Sequence, residues 1–264
     1  MNRLVRAELR KLSTTRLWWG LLIGVAVTAA AFAVLTAAIA GLSGADGTPT
    51  PGVEDPAVVR SVYTAGLGTA YLFALVIGVV SMAGEYRHQT ITATLLGSPR
   101  RVRVVLAKLV ALSAIGLVYG VVTVLAGVVA GASTIALRGG DLRLTTDGVP
   151  RSMGLAVVAV ALWAVLGLGV GTLIRNQVLA LLLSVGVAWI VEPLLALGLN
   201  ALDAGTVAKF LPSQATTAIV TPPTSAGGFD AAYLPWWGGV LVLLGYALVS
   251  AGVGAALTLR RDVT

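Results

Sequence analysis

Long apolar runs separated by short polar segments dominate the chain. Six runs approach or exceed the length of about 20 residues that a helix needs to cross a bilayer. They lie at about 17–42, 61–83, 109–137, 153–174, 178–199 and 236–259. The fourth and fifth runs are separated only by Arg175, Asn176 and Gln177, which predicts a very tight turn. The pattern predicts an all-α integral membrane protein whose six transmembrane helices form one domain, residues 1–264.

The segment before the first run, residues 1–16, has a helical period of its own. Its apolar face carries Val5, Leu9 and Leu12, and its basic face carries Arg3, Arg6 and Arg10. A short basic amphipathic helix of this kind is suited to lying in the membrane interface. Glu8 borders the apolar face, and its simplest partner is Lys11 at i+3, with a partner chain as the alternative.

Residues 84–108 form a polar segment between the second and third runs. Its basic residues are Arg87, His88, Arg100, Arg101, Arg103 and Lys108, and Glu85 stands near its start. Ser98 and Pro99 are typical of a helix start. We expect a short helix over 85–96, a turn at 97–98, and a new helix that begins basic and becomes the third span.

Residues 200–235 separate the fifth and sixth runs. Apolar pieces such as 215–220 are too short to cross a bilayer, and Pro212, Pro222 and Pro223 interrupt them. Short helices packed on the outer side are therefore expected rather than a disordered loop.

The positive charges are distributed unevenly between the two sides of this topology. With both termini cytoplasmic, 13 of the 18 Lys and Arg residues lie inside and five lie outside. Lys and Arg next to spans favour the cytoplasmic side. We therefore expect a multi-pass protein of the cell membrane with cytoplasmic N and C termini and with residues 84–108 inside.

Composition narrows the class of protein. Hydrophobic residues make up 57% of the chain and charged residues 11%, where soluble domains carry about a quarter charged residues. The residues that give the net charge of +7 flank the apolar spans. This position indicates that they set the membrane topology and contact anionic lipid headgroups, rather than bind nucleic acid. With no cysteine and one histidine, we expect no disulfide and no metal site.

No nucleotide-binding loop is evident. A Walker loop needs Gly before its lysine, whereas Lys11, Lys108 and Lys209 follow Arg, Ala and Ala. Any ATP-driven work would need a second chain, and no catalytic residue is expected in this one.

Two features inside the spans have two open interpretations each. Glu192 precedes Pro193 in the fifth span, either as a pathway or gating residue or as a hydrated carboxylate that marks a helix break. Gly-xxx-Gly pairs recur in several spans and favour close helix packing, either within this chain or at a dimer seam.

The expected helix over 85–96 carries an apolar edge beside its charges. Ile91, Leu95 and Leu96 form this edge, which favours docking onto a partner over contact with the chain's own spans or with lipid headgroups.

Three features of the chain resemble the membrane subunit of a type-2 ATP-binding-cassette exporter. They are the start RAELRKL, the segment EYRHQTITATLLGSPRRVRVVLAK and the broken segment before the sixth run. The resemblance implies that residues 84–108 form a cytoplasmic coupling segment that contacts a separate ATPase. The implied positions at or near its coupling helix are Glu85, Tyr86, Arg87, His88, Thr90 and Leu96. Arg100 and Arg103 would begin the third span.

The same resemblance implies a mechanical function without bond chemistry in this chain. Two ATPase subunits would bind ATP and Mg, and two permease subunits, identical or different, would form a pathway for a drug, antibiotic or small peptide. An ion-coupled secondary transporter and a non-transporting immunity or regulatory subunit remain the alternatives. An intramembrane protease is disfavoured, since His88 lies in the cytoplasmic segment and metal ligands are lacking.

Overall fold

The computed structural model describes residues 2–43, 50–87, 101–145, 148–174, 176–221 and 233–260. Across this part of the chain, every regular element is a helix. The helices are α1 (Asn2–Ser13), α2 (Arg16–Ile39), α3 (Pro56–Thr64), α4 (Leu67–Arg87), α5 (Arg101–Leu137), α6 (Val149–Leu173), α7 (Gln177–Gly186), a π-helical turn (Val187–Val191), α8 (Glu192–Ala201), α9 (Gly205–Ala208), α10 (Pro212–Val220) and α11 (Trp236–Arg260).

Six helical stretches are long and apolar enough to cross a membrane, which confirms the six predicted spans. The spans are α2, α3 with α4, α5, α6, α7 with α8, and α11. The short helix predicted over 85–96 is not separate at its start, because α4 continues to Arg87. Its remainder and the Gly97–Ser98 turn lie outside the described residues.

Helix α6 lies at the centre and packs against α4, α5, α10 and α11. Small residues allow this: Gly116 and Gly120 of α5 approach the α6 backbone at Ala161 and Val157, and Gly167 approaches the carbonyl of Leu75. These glycines therefore support packing within the chain, as one of the two interpretations of the Gly-xxx-Gly pairs expected.

The second span is broken, which the apolar pattern did not predict. Asp55 caps α3 by accepting a 2.7 Å hydrogen bond from the backbone N–H of Ala57, and Pro56 occupies the first turn. The chain turns at Ala65 and Gly66 before α4 begins. A side chain at Gly66 would clash with Ala29 of α2, so the glycine permits the close approach of the two spans.

The fifth span is interrupted at the position that Pro193 indicates. The backbone N–H of Glu192 bonds to the carbonyl of Val187, five residues earlier, in the π-helical turn. Because Pro193 has no N–H, the α-helical ladder loses a bond here and the turn widens. Glu192 then begins α8.

The region between the fifth and sixth spans contains α9 and α10, while 222–232 lie outside the described residues. Helix α10 packs against α11 and α6. Two side chains of α6 anchor it there: Trp163 donates a 2.8 Å hydrogen bond to Thr216 Oγ1, and Ser152 donates one of 2.7 Å to the carbonyl of Val220.

Candidate functional site

A charge cluster joins three helix ends that are far apart in the sequence. It consists of Glu8 and Lys11 of α1, Glu85 near the end of α4, and Lys108 near the start of α5. Helices α4 and α5 are the two that flank residues 88–100. The cluster therefore lies at the base of the predicted coupling segment.

Lys108 is the centre of this charge cluster. Its Nζ donates hydrogen bonds of 2.7 Å to Glu8 Oε2 and 2.8 Å to Glu85 Oε1, and lies 3.5 Å from the carbonyl oxygen of Ser81. An ammonium group has three donors, so all three have an acceptor here. Lys11 Nζ completes the cluster with bonds of 2.8 Å to Glu8 and 3.1 Å to Glu85.

The charge cluster is neutral as a whole and mostly shielded from water. The Lys108 side chain is 5% exposed and that of Glu8 is 6% exposed, whereas Lys11 is 46% exposed and closes the cluster on one side. Buried charges are tolerated when they are paired and hydrogen-bonded, and two carboxylates face two ammonium groups here.

The pKa values of two members show that pairing outweighs burial. Burial raises the pKa of Glu8, but the combined effect of Lys108 and Lys11, which lower it, is larger. The pKa of Glu8 therefore lies below its ordinary value. Burial acts in the opposite sense on Lys11, yet Glu8 and Glu85 hold its pKa above the ordinary value. Both groups are therefore charged near neutral pH.

Local contacts hold α1 in position for these ion pairs. Leu9 and Leu12 pack against the main hydrophobic core. The turn into α2 is fixed by Trp18, which donates a 2.8 Å bond to the carbonyl of Ser13 and accepts at its own carbonyl a 2.6 Å bond from Tyr119. The interfacial position of α1 stays a prediction.

The residues predicted for the coupling interface divide into three groups. Glu85 is buried and faces the chain's own charges, whereas Tyr86 is half-buried. Arg87 and Arg103 are exposed, and Arg87 lies 3.5 Å from Gln177 Oε1. The residues that lie outside the described part of the chain are His88, Thr90, Leu96 and Arg100. In α1, by contrast, Arg3, Arg6 and Arg10 are exposed while Glu8 is buried.

Lys108 is the functional candidate whose role the sequence reasoning missed. Lys11 was predicted as the partner of Glu8 and is one, at i+3. The sequence did contain a signal for Lys108. Glu85 follows the end of the second apolar run, and Lys108 precedes the start of the third, so opposite charges stand at the two ends of the polar segment between these runs. Such opposed charges meet when the two spans are neighbours.

Glu192 is the second candidate, and the structure settles its burial. The residue is 3% exposed, which argues against a hydrated carboxylate, whereas the helix break that the same interpretation expected is present. Its two carboxylate oxygens accept from the backbone N–H of Ser213 in α10, at 3.2 and 3.3 Å, while Pro193 is exposed. Among the described residues, no group of three or more His, Cys, Asp or Glu is arranged to hold a metal ion.

One protein-family model matches nearly the whole chain. Residues 4–263 match the family model described as ABC-2 family transporter protein. A search of curated proteins finds no match. The family implies an ATPase partner, which agrees with the absence of a Walker loop in this sequence. This match over nearly the whole chain, which agrees with the six apolar spans, shows that the chain belongs to the ABC-2 transporter family and is a type-2 ABC permease subunit.

Proposed function

We propose that this permease forms the translocation pathway of an ATP-driven exporter for a hydrophobic or amphipathic compound. The observation that carries the proposal is the position of the charge cluster. Its ion pairs join α1 to both helices that flank residues 88–100. A partner that displaces this segment would therefore move three helix ends together.

The energetics of the charge cluster support such transmission. Separating one buried member from the others would leave an uncompensated charge, which costs about 3–5 kcal/mol. The start of the third span and the end of the second span are thus held to α1 against small displacements. A push on residues 88–100 would be passed to the spans rather than absorbed by bending at their ends.

The proposed assembly contains two ATPase subunits, which bind ATP and Mg, and a second permease of the same or another sequence. Both termini and residues 84–108 lie on the cytoplasmic side of the cell membrane, and 200–235 on the outer side. The exposed side chains of Arg87 and Arg103 would contact the ATPase, together with Tyr86 and the undescribed His88, Thr90, Leu96 and Arg100. The exposed arginines Arg3, Arg6 and Arg10 would contact anionic lipid headgroups.

The first experiment is gentle purification of the chain from its native membrane, followed by mass spectrometry of what accompanies it. We expect a soluble protein with a Walker loop in a fixed ratio to the permease. Reconstitution of that complex in liposomes should then give ATP-dependent movement of an amphipathic compound.

Two results would overturn the proposal in different ways. A chain that purifies alone and moves a solute down an ion gradient would be a secondary transporter, with the buried carboxylate of Glu192 as its first candidate for ion coupling. A chain that assembles with its ATPase but moves no compound would be a regulatory or immunity subunit.

A further inference from the structure

An apolar groove lies beside Glu192, between the fifth span and its neighbours. It has a volume of about 390 Å³. Its lining includes Val170 and Trp163 of α6, Leu183 of α7, Leu195 of α8 and Tyr246 of α11, in addition to Glu192. Glu192 is therefore the one carboxylate in a lining that is otherwise apolar and aromatic except for Ser184.

The carboxylate of Glu192 has fewer partners than it can accept. A carboxylate has about four acceptor positions, and its described hydrogen bonds come from one residue, Ser213, through the backbone N–H and the side-chain hydroxyl. Within the described residues, no lysine or arginine forms an ion pair with Glu192. Of the undescribed stretches, 44–49, 146–147 and 222–232 contain neither residue type, whereas 88–100, 175 and 261–264 include Arg100, Arg175 and Arg261. A carboxylate buried to this degree in a membrane protein is costly unless a cation compensates its charge or a proton neutralises it.

Aromatic rings stand beside this carboxylate in a fixed arrangement. Tyr71 stacks on Trp163 with ring centroids 4.4 Å apart, and the indole N–H of Trp163 is held by Thr216 at 2.8 Å. Tyr246 lines the same groove as Trp163 and Glu192. Aromatic faces attract organic cations, especially where water is excluded.

We propose that this groove binds an organic cation with an apolar body, whose positive charge lies against Glu192. The apolar lining removes the body of the ligand from water or lipid headgroups, and Tyr246 with Glu192 supplies the attraction for the charge. As a statement about cargo, the inference rests on the proposed export function. As a statement about binding, it is independent of ATP and of the ATPase.

The test measures binding of tetraphenylphosphonium to the purified full chain in phosphatidylcholine nanodiscs, by equilibrium dialysis against empty nanodiscs and without ATP. Tetraphenylborate, an anion of the same shape, separates the role of charge from that of apolar contact. We expect saturable binding of the cation and none of the anion, each measured in a separate dialysis because the two ions pair with each other in solution. Glu192→Gln keeps an acceptor for Ser213 and should weaken cation binding by roughly tenfold or more.

Two further variants make the result specific to the groove. Tyr246→Leu keeps Glu192 and the apolar lining, and should weaken cation binding roughly threefold. Glu54→Gln, at an exposed carboxylate in another part of the chain, should leave binding unchanged.

Absence of saturable binding in the unaltered chain, or equal binding by the Glu192→Gln and unaltered chains, would overturn the inference. If Glu192→Gln does not fold, full binding by Tyr246→Leu would overturn it. A chain that fails this test yet purifies with its ATPase would keep the export function and lose only the cation site.

Discussion

Lys108 donates a 2.7 Å hydrogen bond to Glu8 across 100 positions of sequence, with both side chains almost fully buried. Lys108 also bonds Glu85, so one ammonium group holds two carboxylates from two other helices. This arrangement makes Lys108 the residue whose loss should damage the charge cluster most. Lys11, which is about half exposed, can satisfy the carboxylates only from the solvent side.

Replacing Lys108 by Met should strongly destabilise the protein. The change would leave Glu8 and Glu85 buried with Lys11 as their remaining partner, and breaking a buried pair in this way costs about 3–5 kcal/mol. The measurement is the thermal unfolding midpoint of the purified protein in detergent. Lys209→Met is the matched control, because Lys209 lies over the ring of Phe210 and takes part in none of the four ion pairs.

A double variant separates ion pairing from simple loss of packing. Adding Glu8→Gln to Lys108→Met removes one of the two uncompensated carboxylates, so the double variant should be less destabilised than the sum of the single changes. A coupling free energy of about 0.5–3 kcal/mol is expected for residues in one network. Strictly additive effects would show that Glu8 and Lys108 do not depend on each other.

Attachment of α1 should depend on pH at both extremes. The lowered pKa of Glu8 makes its contribution complete above its ordinary pKa of 4.5, and lost as pH falls through the lower value of the attached state. The raised pKa of Lys11 makes its contribution complete below 10.5, and lost as pH rises through the higher value of the attached state. Amide hydrogen exchange of residues 2–13, corrected for its intrinsic pH dependence, should show α1 protected between these limits. Glu8→Gln should flatten the acid side of the profile, and an unchanged acid side would contradict the role of Glu8.

The number of spans was predictable because it depends on run length alone. A helix must satisfy its own backbone in lipid, so each apolar run of about 20 residues has one available structure. The break between α3 and α4 was not predictable in this way, since the residues around Gly66 contain no proline and no charged residue. It depends on the close approach of Ala29, a residue of another helix.

The candidate sites show the same division between local and tertiary information. Lys11 was identifiable as a partner of Glu8 because i+3 spacing is a property of one helix. Lys108 was not, because its ion pairs exist only after three helix ends meet. For Glu192, the following proline indicated the helix irregularity, but burial depends on α10 covering the carboxylate.

Gly78→Ala should destabilise the contact between α4 and α6. An added Cβ at Gly78 would clash with the carbonyl oxygen of Ala164, in a region where both backbones are already in contact. Overpacking of this kind costs about 1–3 kcal/mol. Gly68→Ala, in the same helix but with open space at its Cβ, is the control and should be neutral or stabilising, because alanine favours helix. The thermal midpoints of the two variants should therefore move apart, and equal midpoints would contradict the close contact.

Substitutions at Glu85 and Arg87 should separate support of the coupling segment from contact with the ATPase. Arg87 is exposed, so Arg87→Ala should change stability by less than about 0.5 kcal/mol while reducing the ATPase activity that transport cargo stimulates. Glu85→Gln should lower both stability and stimulated activity, because Glu85 bonds Lys108 and Lys11 inside the charge cluster. The measurements are thermal midpoint, co-purification with the ATPase, and ATP hydrolysis with and without cargo. If Arg87→Ala leaves coupling and assembly unchanged, Arg87 does not contact the ATPase. If Glu85→Gln lowers stability but not stimulated activity, the charge cluster serves stability alone.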